Sequence, residues 1–501
     1  MSLLIQKKRL TFFRQGGVLA IQSKIEYNYR LIKPKIMTII SQILHARDQR
    51  ANYRKQFADN GFPSLSVSLN IAGYPKHNHS TKAFFAIIIS DLKEYLKANG
   101  ITILEQKEIN ITDNDGDFYI APLSADSDVI SIKQITEQYE ANHPAGRVID
   151  IDITTTTFEP ISSGKRKKCI VCSNQAAVDC MRSQNHSVTE VREVTFNTIE
   201  SFLLSHRDSF IKRELSSYLL KSILYEISLT PKPGLVDTAN PGIHTDMNYY
   251  TFVNSTSILT TYFNDIIDLA INNKMAKLET VLPQIRYIGI KAERNMFDQT
   301  NGVNTQKGGI FLLGLSAYAA AYTVVNHGLF DVNMCADIIK TICADIVKNE
   351  IESGKAENSH GIDCYNKYGN KYGGARLEAQ NGMSTAIKYG FNIFNRSGIE
   401  MNRNSNKKVL DTHLFAALLN IMANNCDSNI LFRSNEEILE GFKNAAQKAY
   451  CRIKNGEEPQ SALNHLTTYC NYHRISAGGA ADLLSVAIFF YLCKQEFGKV
   501  N

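Results

Sequence analysis

The chain has 501 residues, too many for one ordinary hydrophobic core, so two or three domains are expected. Apolar residues make up 44% and charged residues 21%, which excludes wholesale disorder. The first 36 residues carry +7 against +6 for the whole chain, so the remainder is nearly neutral and gives no basis for general nucleic-acid affinity.

In chain order, the basic segment 1–36 reads as an N-terminal extension, either a flexible, disordered arm or residues preceding a functional start at Met37. A targeting segment is disfavoured because Pro34 and scattered polar residues interrupt any amphipathic helix. No apolar stretch followed by a small-residue cleavage site is visible, so a cytoplasmic protein is expected. Residues 37–190 alternate strand-like and helical runs: Ser64–Ala72 alternates polar and apolar residues, Lys82–Asn99 has helical spacing and stops at Gly100, and Ile101–Asn110 and Val148–Ile153 are strand-like. This predicts an α+β domain. Residues 191–210 predict a helical linker, and 211–501 an all-α domain with helices over Glu214–Ile227, Tyr250–Ile271, Ile310–Asn326, Cys335–Asn349, His413–Asn424, Glu436–Lys454 and Asp482–Gln495. The longest apolar run, Ile310–Val325, contains Gly314 and Ser316 and is shorter than the roughly 20 residues of a membrane span, so a buried helix is expected and no membrane. Seven of the ten cysteines are scattered and read as reduced thiols.

The sharpest signal in the first half is His143-Pro-Ala-Gly-Arg-Val-Ile-Asp-Ile-Asp-Ile153. On a strand, Asp150 and Asp152 point to one face and the isoleucines between them to the other. Paired carboxylates suit Mg²⁺, which prefers one or two carboxylates plus substrate phosphates, and Arg147 beside them could hold a phosphate. Spacing alone leaves open a solvent-facing strand with two surface acids. The segment closely resembles the HPLGRLxDxDV signature of the holo-citrate lyase synthase family, the apo-citrate lyase phosphoribosyl-dephospho-CoA transferases, with Ala145 in place of its leucine. The resemblance extends over roughly residues 40–190 and includes Ala46-Arg47-Asp48-Gln49-Arg50, Glu140 three residues before His143, and a later cysteine segment. It implies a nucleotidyltransferase-like domain that moves phosphoribosyl-dephospho-CoA onto a serine of the citrate lyase acyl carrier protein (gamma subunit). Carried over, Asp150 and Asp152 would bind Mg²⁺, and Arg47, Arg50 and Arg147 would bind phosphates.

Cys169, Cys172, Cys180 and His186 offer three thiols and an imidazole, a possible Zn²⁺ set. Their spacing is tighter than in common zinc ribbons, and reduced thiols beside a surface histidine are the favoured reading. The preceding Lys165-Arg166-Lys167-Lys168 is a solvated loop or a surface for an acidic carrier.

Five polar loops interrupt the second half: Thr230–Asp246, Gly289–Gly309, Ser359–Glu378, Asn425–Arg433 and Ser476–Leu484. Glycines opening helices at Gly308 and at Gly478 and Gly479 offer backbone N–H donors to phosphate. Lys232, Lys307, Arg376 and Arg433 supply positive charge. Glu293 and Asp427 stand as candidates for base work, Asp237 and Asp246 for Mg²⁺, with Glu378 and Asp482 as further carboxylates. Together these loops point to a nucleotide site. Their order over residues 220–490 closely resembles the triphosphoribosyl-dephospho-CoA synthase family, with its TPKPGLVD, GxHxDM, TxGVNTHKG, YGxxGARxE, DTN and SPGGSADLL elements. The resemblance implies that ATP and 3'-dephospho-CoA are joined with release of adenine. Gln306 replaces the histidine of THKG and cannot shuttle a proton near neutrality. Ser428 replaces the DTN threonine, and Ala477 and Ala480 replace the proline and serine of the last element.

The leading expectation is therefore a fused bifunctional enzyme whose second domain makes the precursor that the first attaches. The alternatives are the same chemistry for a malonate decarboxylase carrier, and a nucleotide-binding second domain without turnover.

Overall fold

The computed structural model describes residues 18–353, 359–401 and 405–498, with side chains from residue 38 onward. Residues 1–17 of the basic extension lie outside the described residues, and residues 18–36 enter the first helix. The chain divides into two units, residues 1–206 and 207–501.

Unit 1 contains helices α1 (Val18–Asp59), α2 (His79–Ala98), α3 (Val129–Asn142), α4 (Ala177–Arg182) and the first part of α5 (Val188–Ser228). Strands β1 (Ser64–Leu69), β2 (Ile109–Asp113), β3 (Gly116–Pro122) and β4 (Ile149–Thr154) form one antiparallel sheet in the order β2-β3-β1-β4. Period-two alternation gives the sheet two different faces. Leu65, Val67, Tyr119, Ile149, Ile151 and Ile153 join α2 residues Phe84, Ile88 and Leu92 in the core. The opposite face carries Ser66, Ser68, Phe118, Asp150 and Asp152, in register as Ser66↔Asp152, Ser68↔Asp150 and Ser68↔Phe118. The expected strand Ile101–Asn110 is corrected: Ile103 makes a single bridge to Leu123, the polar Glu105–Lys107 forms a short tight turn, and β2 starts at Ile109. Strand β3 is buried at every position, so its sequence lacks the alternation that marks a half-exposed strand.

Unit 2 is helical among the described residues. The rest of α5 is followed by α6 (Tyr249–Ser257), α7 (Leu259–Asn272), α8 (Leu282–Gln299), α9 (Lys307–His327), α10 (Val332–Ile342), α11 (His360–Tyr368), α12 (Gly374–Gln380), α13 (Asn392–Ser397), α14 (Lys407–Asn424), α15 (Ser428–Arg433), α16 (Glu436–Lys454), α17 (Pro459–His473) and α18 (Gly478–Phe497). Helices α9 and α18 are apolar on all sides and form the centre of this unit, packed largely against other helices. Helix α9 is long and apolar enough to cross a membrane, yet 83% of its most apolar window is buried inside this unit. One expected loop is corrected. Gly289–Met296 lies inside α8, because Ile285, Ala292 and Met296 recur on one helical face and bury it.

Candidate active sites

In unit 1 the Asp150 and Asp152 side chains emerge together from the open face of β4, with 36% and 51% of each exposed. Strand β4 lies at the sheet edge, and its free edge is met at Ile151 by side chains and at Ile153 by the Ile161 N–H. Glu140 accepts the Ile151 N–H at 2.7 Å, and Lys133 Nζ donates to the Ile151 carbonyl at 2.7 Å, both from α3. Lys167 Nζ then donates to Asp150 Oδ1 at 2.8 Å and to Glu140 Oε1 at 3.1 Å. From α1, Arg54 donates to Ser66 Oγ at 2.9 Å and lies 3.7 Å from Asp152 Oδ2. Arg147 buries its Nε without a hydrogen-bond partner. Partial burial, and then the Asp150 charge, raise the Asp152 carboxyl above the ordinary aspartate range. Burial also raises Glu140 and lowers Arg54 and Arg147.

The glycine of the motif has a steric reason. A Cβ at Gly146 would lie 1.7 Å from the Glu140 carbonyl oxygen, so only glycine lets the chain turn this close to the end of α3 and feed β4. His143 is a packing residue, its ring among Phe84, Tyr139 and Phe202 and its Nδ1 accepting the Ala145 N–H.

Arg47 and Arg50 meet the β2–β3 turn. Arg50 is buried and forks onto Asp113 at 2.9 and 2.7 Å, with a further bond to the Gly116 carbonyl. Arg47 pairs with Asp115 at 3.0 Å. Both guanidinium groups tie α1 to the β2–β3 turn, and neither is paired with the aspartate pair. Arg54, one turn beyond Arg50 on the same helix, does. The cysteine segment gathers Cys169, Cys172, Cys180 and His186, with ligand atoms all within 4.8 Å of one another.

In unit 2 the polar loops converge on a cavity of about 1110 Å³, which is roomy even against the roughly 300–1,000 Å³ of common ligand sites. Lys232, Lys307, Arg376 and Arg433 line it, as do Asp246, Glu293, Glu378, Gly308, Gly478 and Gly479. Most of the charges face partners. Lys232 is buried against Glu226. Lys307 Nζ lies 3.1 Å from Glu293. Arg376 donates to Glu350 at 2.9 Å and to Ser359 Oγ at 3.2 Å, and Arg286 also pairs with Glu350. Glu378 is turned to the backbone, accepting the Thr385 and Ala386 N–H groups.

The amino end of α9 abuts α18. A Cβ on Gly308 would meet Asp482 Oδ2 at 2.4 Å, and one on Gly309 would meet Oδ1 at 2.9 Å. Burial, followed by the charges of Glu226 and Asp427, holds the Asp482 carboxyl well above its ordinary range. His244 donates to or accepts from Ser476 Oγ at 3.0 Å through Nε2, and burial and then Arg433 lower its pKa.

Asp427 and Asp237 stand outside the cavity lining. Asp427 is a buried helix cap, accepting the Asn429 and Ala480 N–H groups at 3.0 Å and so joining α15 to α18. Asp237 accepts the backbone N–H groups of Lys232, Ala239 and Asn240 and shapes its own loop. With its lone pairs so occupied it is a poor metal ligand. Gln306 is buried and donates to Ser255 and Thr256 hydroxyls at 2.9 Å, a tie to α6 that asks for a donor and no proton transfer. Glu226, Arg286 and Glu350 were not marked by any loop motif, and neither were Arg54 and Lys133 in unit 1.

The profile of the ATP:dephospho-CoA triphosphoribosyl transferase family matches residues 212–501. The chain belongs to this family. The profile of the apo-citrate lyase phosphoribosyl-dephospho-CoA transferases matches residues 38–202, so the transferase segment precedes the synthase segment. Over 467 residues the chain is 29% identical to Protein CitXG of Leuconostoc mesenteroides subsp. cremoris, covering 90% of this chain and 96% of that one. Protein CitXG of Haemophilus influenzae is 26% identical over 468 residues, covering 90% and 95%. The 2-(5''-triphosphoribosyl)-3'-dephosphocoenzyme-A synthase of Pectobacterium atrosepticum is 30% identical over 291 residues, 58% of this chain and 93% of that one. The chain is a bifunctional transferase of citrate lyase prosthetic-group synthesis.

Proposed function

We propose that unit 2 joins ATP and 3'-dephospho-CoA with release of adenine, and that unit 1 transfers the resulting phosphoribosyl-dephospho-CoA group to a serine of the citrate lyase acyl carrier protein. The transfer is of the nucleotidyltransferase type. The serine Oγ attacks the phosphorus next to the ribose, the bond to the outer two phosphates breaks, and pyrophosphate leaves. The observation that carries this reading is the pair Asp150 and Asp152, side by side on an open strand face with Lys167 and Arg54 on its flanks. That donor set fits Mg²⁺, which when bound supplies charge neutralisation to the pyrophosphate. Arg54 and Arg147 are suited to orient the phosphates, and Lys167 to hold Asp150 in place. Exposed Lys165 and Arg166 fit the approach of an acidic carrier.

In unit 2 a ribose hydroxyl of dephospho-CoA attacks the anomeric carbon of ATP, and the glycosidic bond to adenine breaks. Lys232, Lys307, Arg376 and Arg433 suit the triphosphate, with Asp246 and Glu293 available to Mg²⁺. Asp482, which lines the cavity beside the α9 amino end where Asp427 does not, is better placed than Asp427 to accept the hydroxyl proton. The protein incubated with ATP, dephospho-CoA, Mg²⁺ and apo-carrier is expected to release adenine and to add the group's mass to the carrier. Absence of both would end the reading.

The arginines separate two roles. Arg50→Ala breaks a buried ion pair and is expected to destabilise unit 1 by about 3–5 kcal/mol. Arg54→Ala is expected to leave the unfolding midpoint near its original value and to raise KM for the triphosphoribosyl substrate roughly tenfold, the effect of one charge-assisted hydrogen bond. An unchanged KM would remove Arg54 from phosphate binding.

The raised Asp152 carboxyl predicts how the metal-free protein titrates. In the metal-free protein the Asp152 carboxyl is expected to titrate, by NMR, above the roughly 3.9 of an ordinary aspartate, and added Mg²⁺ to lower that value by favouring the carboxylate. A value that Mg²⁺ leaves unmoved would take Asp152 out of the metal site.

A further inference from the structure

We propose that Cys169, Cys172, Cys180 and His186 bind one structural Zn²⁺ ion, and that this ion holds the segment carrying Lys167 against Asp150. Their ligand atoms lie within 4.8 Å of one another. The Cys172 and Cys180 sulfurs are 3.6 Å apart. A tetrahedron with Zn–S bonds near 2.3 Å has sulfur–sulfur edges of about 3.8 Å, whereas a disulfide requires about 2.05 Å.

The histidine carries the second observation. His186 Nε2 is buried with no hydrogen-bond partner, while Nδ1 lies 3.3 Å from Glu190 Oε1. Metal-bound histidines are oriented in this way, one ring nitrogen on the ion and the other on a carboxylate. The backbone is folded to match. Cys169 N–H donates to the Gln175 carbonyl at 2.8 Å, Ser173 N–H to the Cys169 carbonyl at 3.1 Å, and Ser173 is left-handed at φ 54. This tight knuckle presents Cys169 and Cys172 on one side, with Cys180 facing them from α4.

The segment has little apolar support beyond the partly buried Ile161 and Ile170. Between residues 161 and 190 only Cys169 and Cys180 are buried. So little apolar burial does not fix 30 residues of chain, and short segments of this kind are commonly stapled by a metal. Three soft thiolates and one imidazole select Zn²⁺ over oxygen-preferring cations. Lys167 stands two residues before Cys169, and its backbone carbonyl accepts the Ala177 N–H at 2.8 Å, so the knuckle fixes its position directly. The link from zinc to Lys167 rests on the transferase reading of unit 1; the metal site itself does not.

The full chain, expressed with Zn²⁺ and purified without chelator, is expected to hold one zinc per molecule by elemental analysis. Exchange with Co²⁺ should give the strong visible absorption of tetrahedral thiolate coordination. His186→Ala should lose the metal and His186→Cys should keep it, so that misfolding of one variant does not decide the matter. In His186→Ala, carrier modification should fall at least about tenfold, recover in His186→Cys, and leave adenine release unchanged. Zinc well below one per chain, no tetrahedral cobalt signature, or a Cys172–Cys180 disulfide on peptide mapping would each overturn the metal site. Full transfer by zinc-free His186→Ala would overturn the link to Lys167 alone. A zinc-replete chain that cannot modify the carrier would refute the transferase reading and leave the metal site standing.

Discussion

Asp150→Asn is expected to lower carrier modification by about 10³-fold, corresponding to the several kcal/mol that a metal-assisted charge neutralisation contributes, with adenine release unchanged. The substitution is isosteric, so the β4–β1 pairing and the isoleucine face behind it stay intact. Its effects are electrostatic. An amide carries no charge to share a divalent cation, and Lys167 keeps only Glu140 as its anionic partner. Losing the Asp150 charge also removes one cause of the raised Asp152 carboxyl, so Asp152 remains ionised further into acid and cannot be blamed for the loss. Intact-mass analysis of the carrier and chromatography of adenine measure the two activities in one mixture. Loss of both would contradict separate sites, and retention of carrier modification would remove the aspartate pair from the chemistry.

The legible parts of these sites were those written in local periodicity. Two aspartates at i and i+2 between isoleucines fix their own face, whatever the rest of the chain does. Glycine-led helix starts at Gly308 and Gly478 were visible for the same reason. The less legible residues are those whose partner decides their role. Arg50 and Arg54 differ only in what lies opposite them, Asp113 in one case and Ser66 with Asp152 in the other. Asp427 carried a usable signal that pointed the other way, since an aspartate just before a helix is first of all a cap. Glu293 was found as a residue but placed in a loop, because the polar stretch around it hides the spacing of Ile285, Ala292 and Met296. Arg286 with Glu350 joins positions far apart in sequence, and no local pattern encodes such a pair. The two halves could still be recognised because their motifs occur in a fixed order along the chain, which does not require knowing any contact.

Lys232→Met is expected to abolish adenine release and to destabilise unit 2 by about 3–5 kcal/mol, for two separable reasons. The ammonium group and its partner Glu226 are nearly inaccessible, with 2% and 8% of their side chains exposed. Removing the cation leaves Glu226 buried without compensation, in a region where its charge already raises Asp482. That cost belongs to the fold. The double substitution Glu226→Leu with Lys232→Met removes both charges, replaces them with apolar groups, and should restore most of the unfolding midpoint. It should not restore adenine release if Lys232 is the cation for the triphosphate, because that cation is still absent. Denaturant unfolding followed by circular dichroism gives the first quantity and adenine chromatography the second. Recovery of both in the double variant would make Lys232 a packing partner of Glu226 and nothing more. Recovery of stability alone would leave its charge serving the nucleotide, with Glu226 present to keep that charge in the cavity when no phosphate is bound.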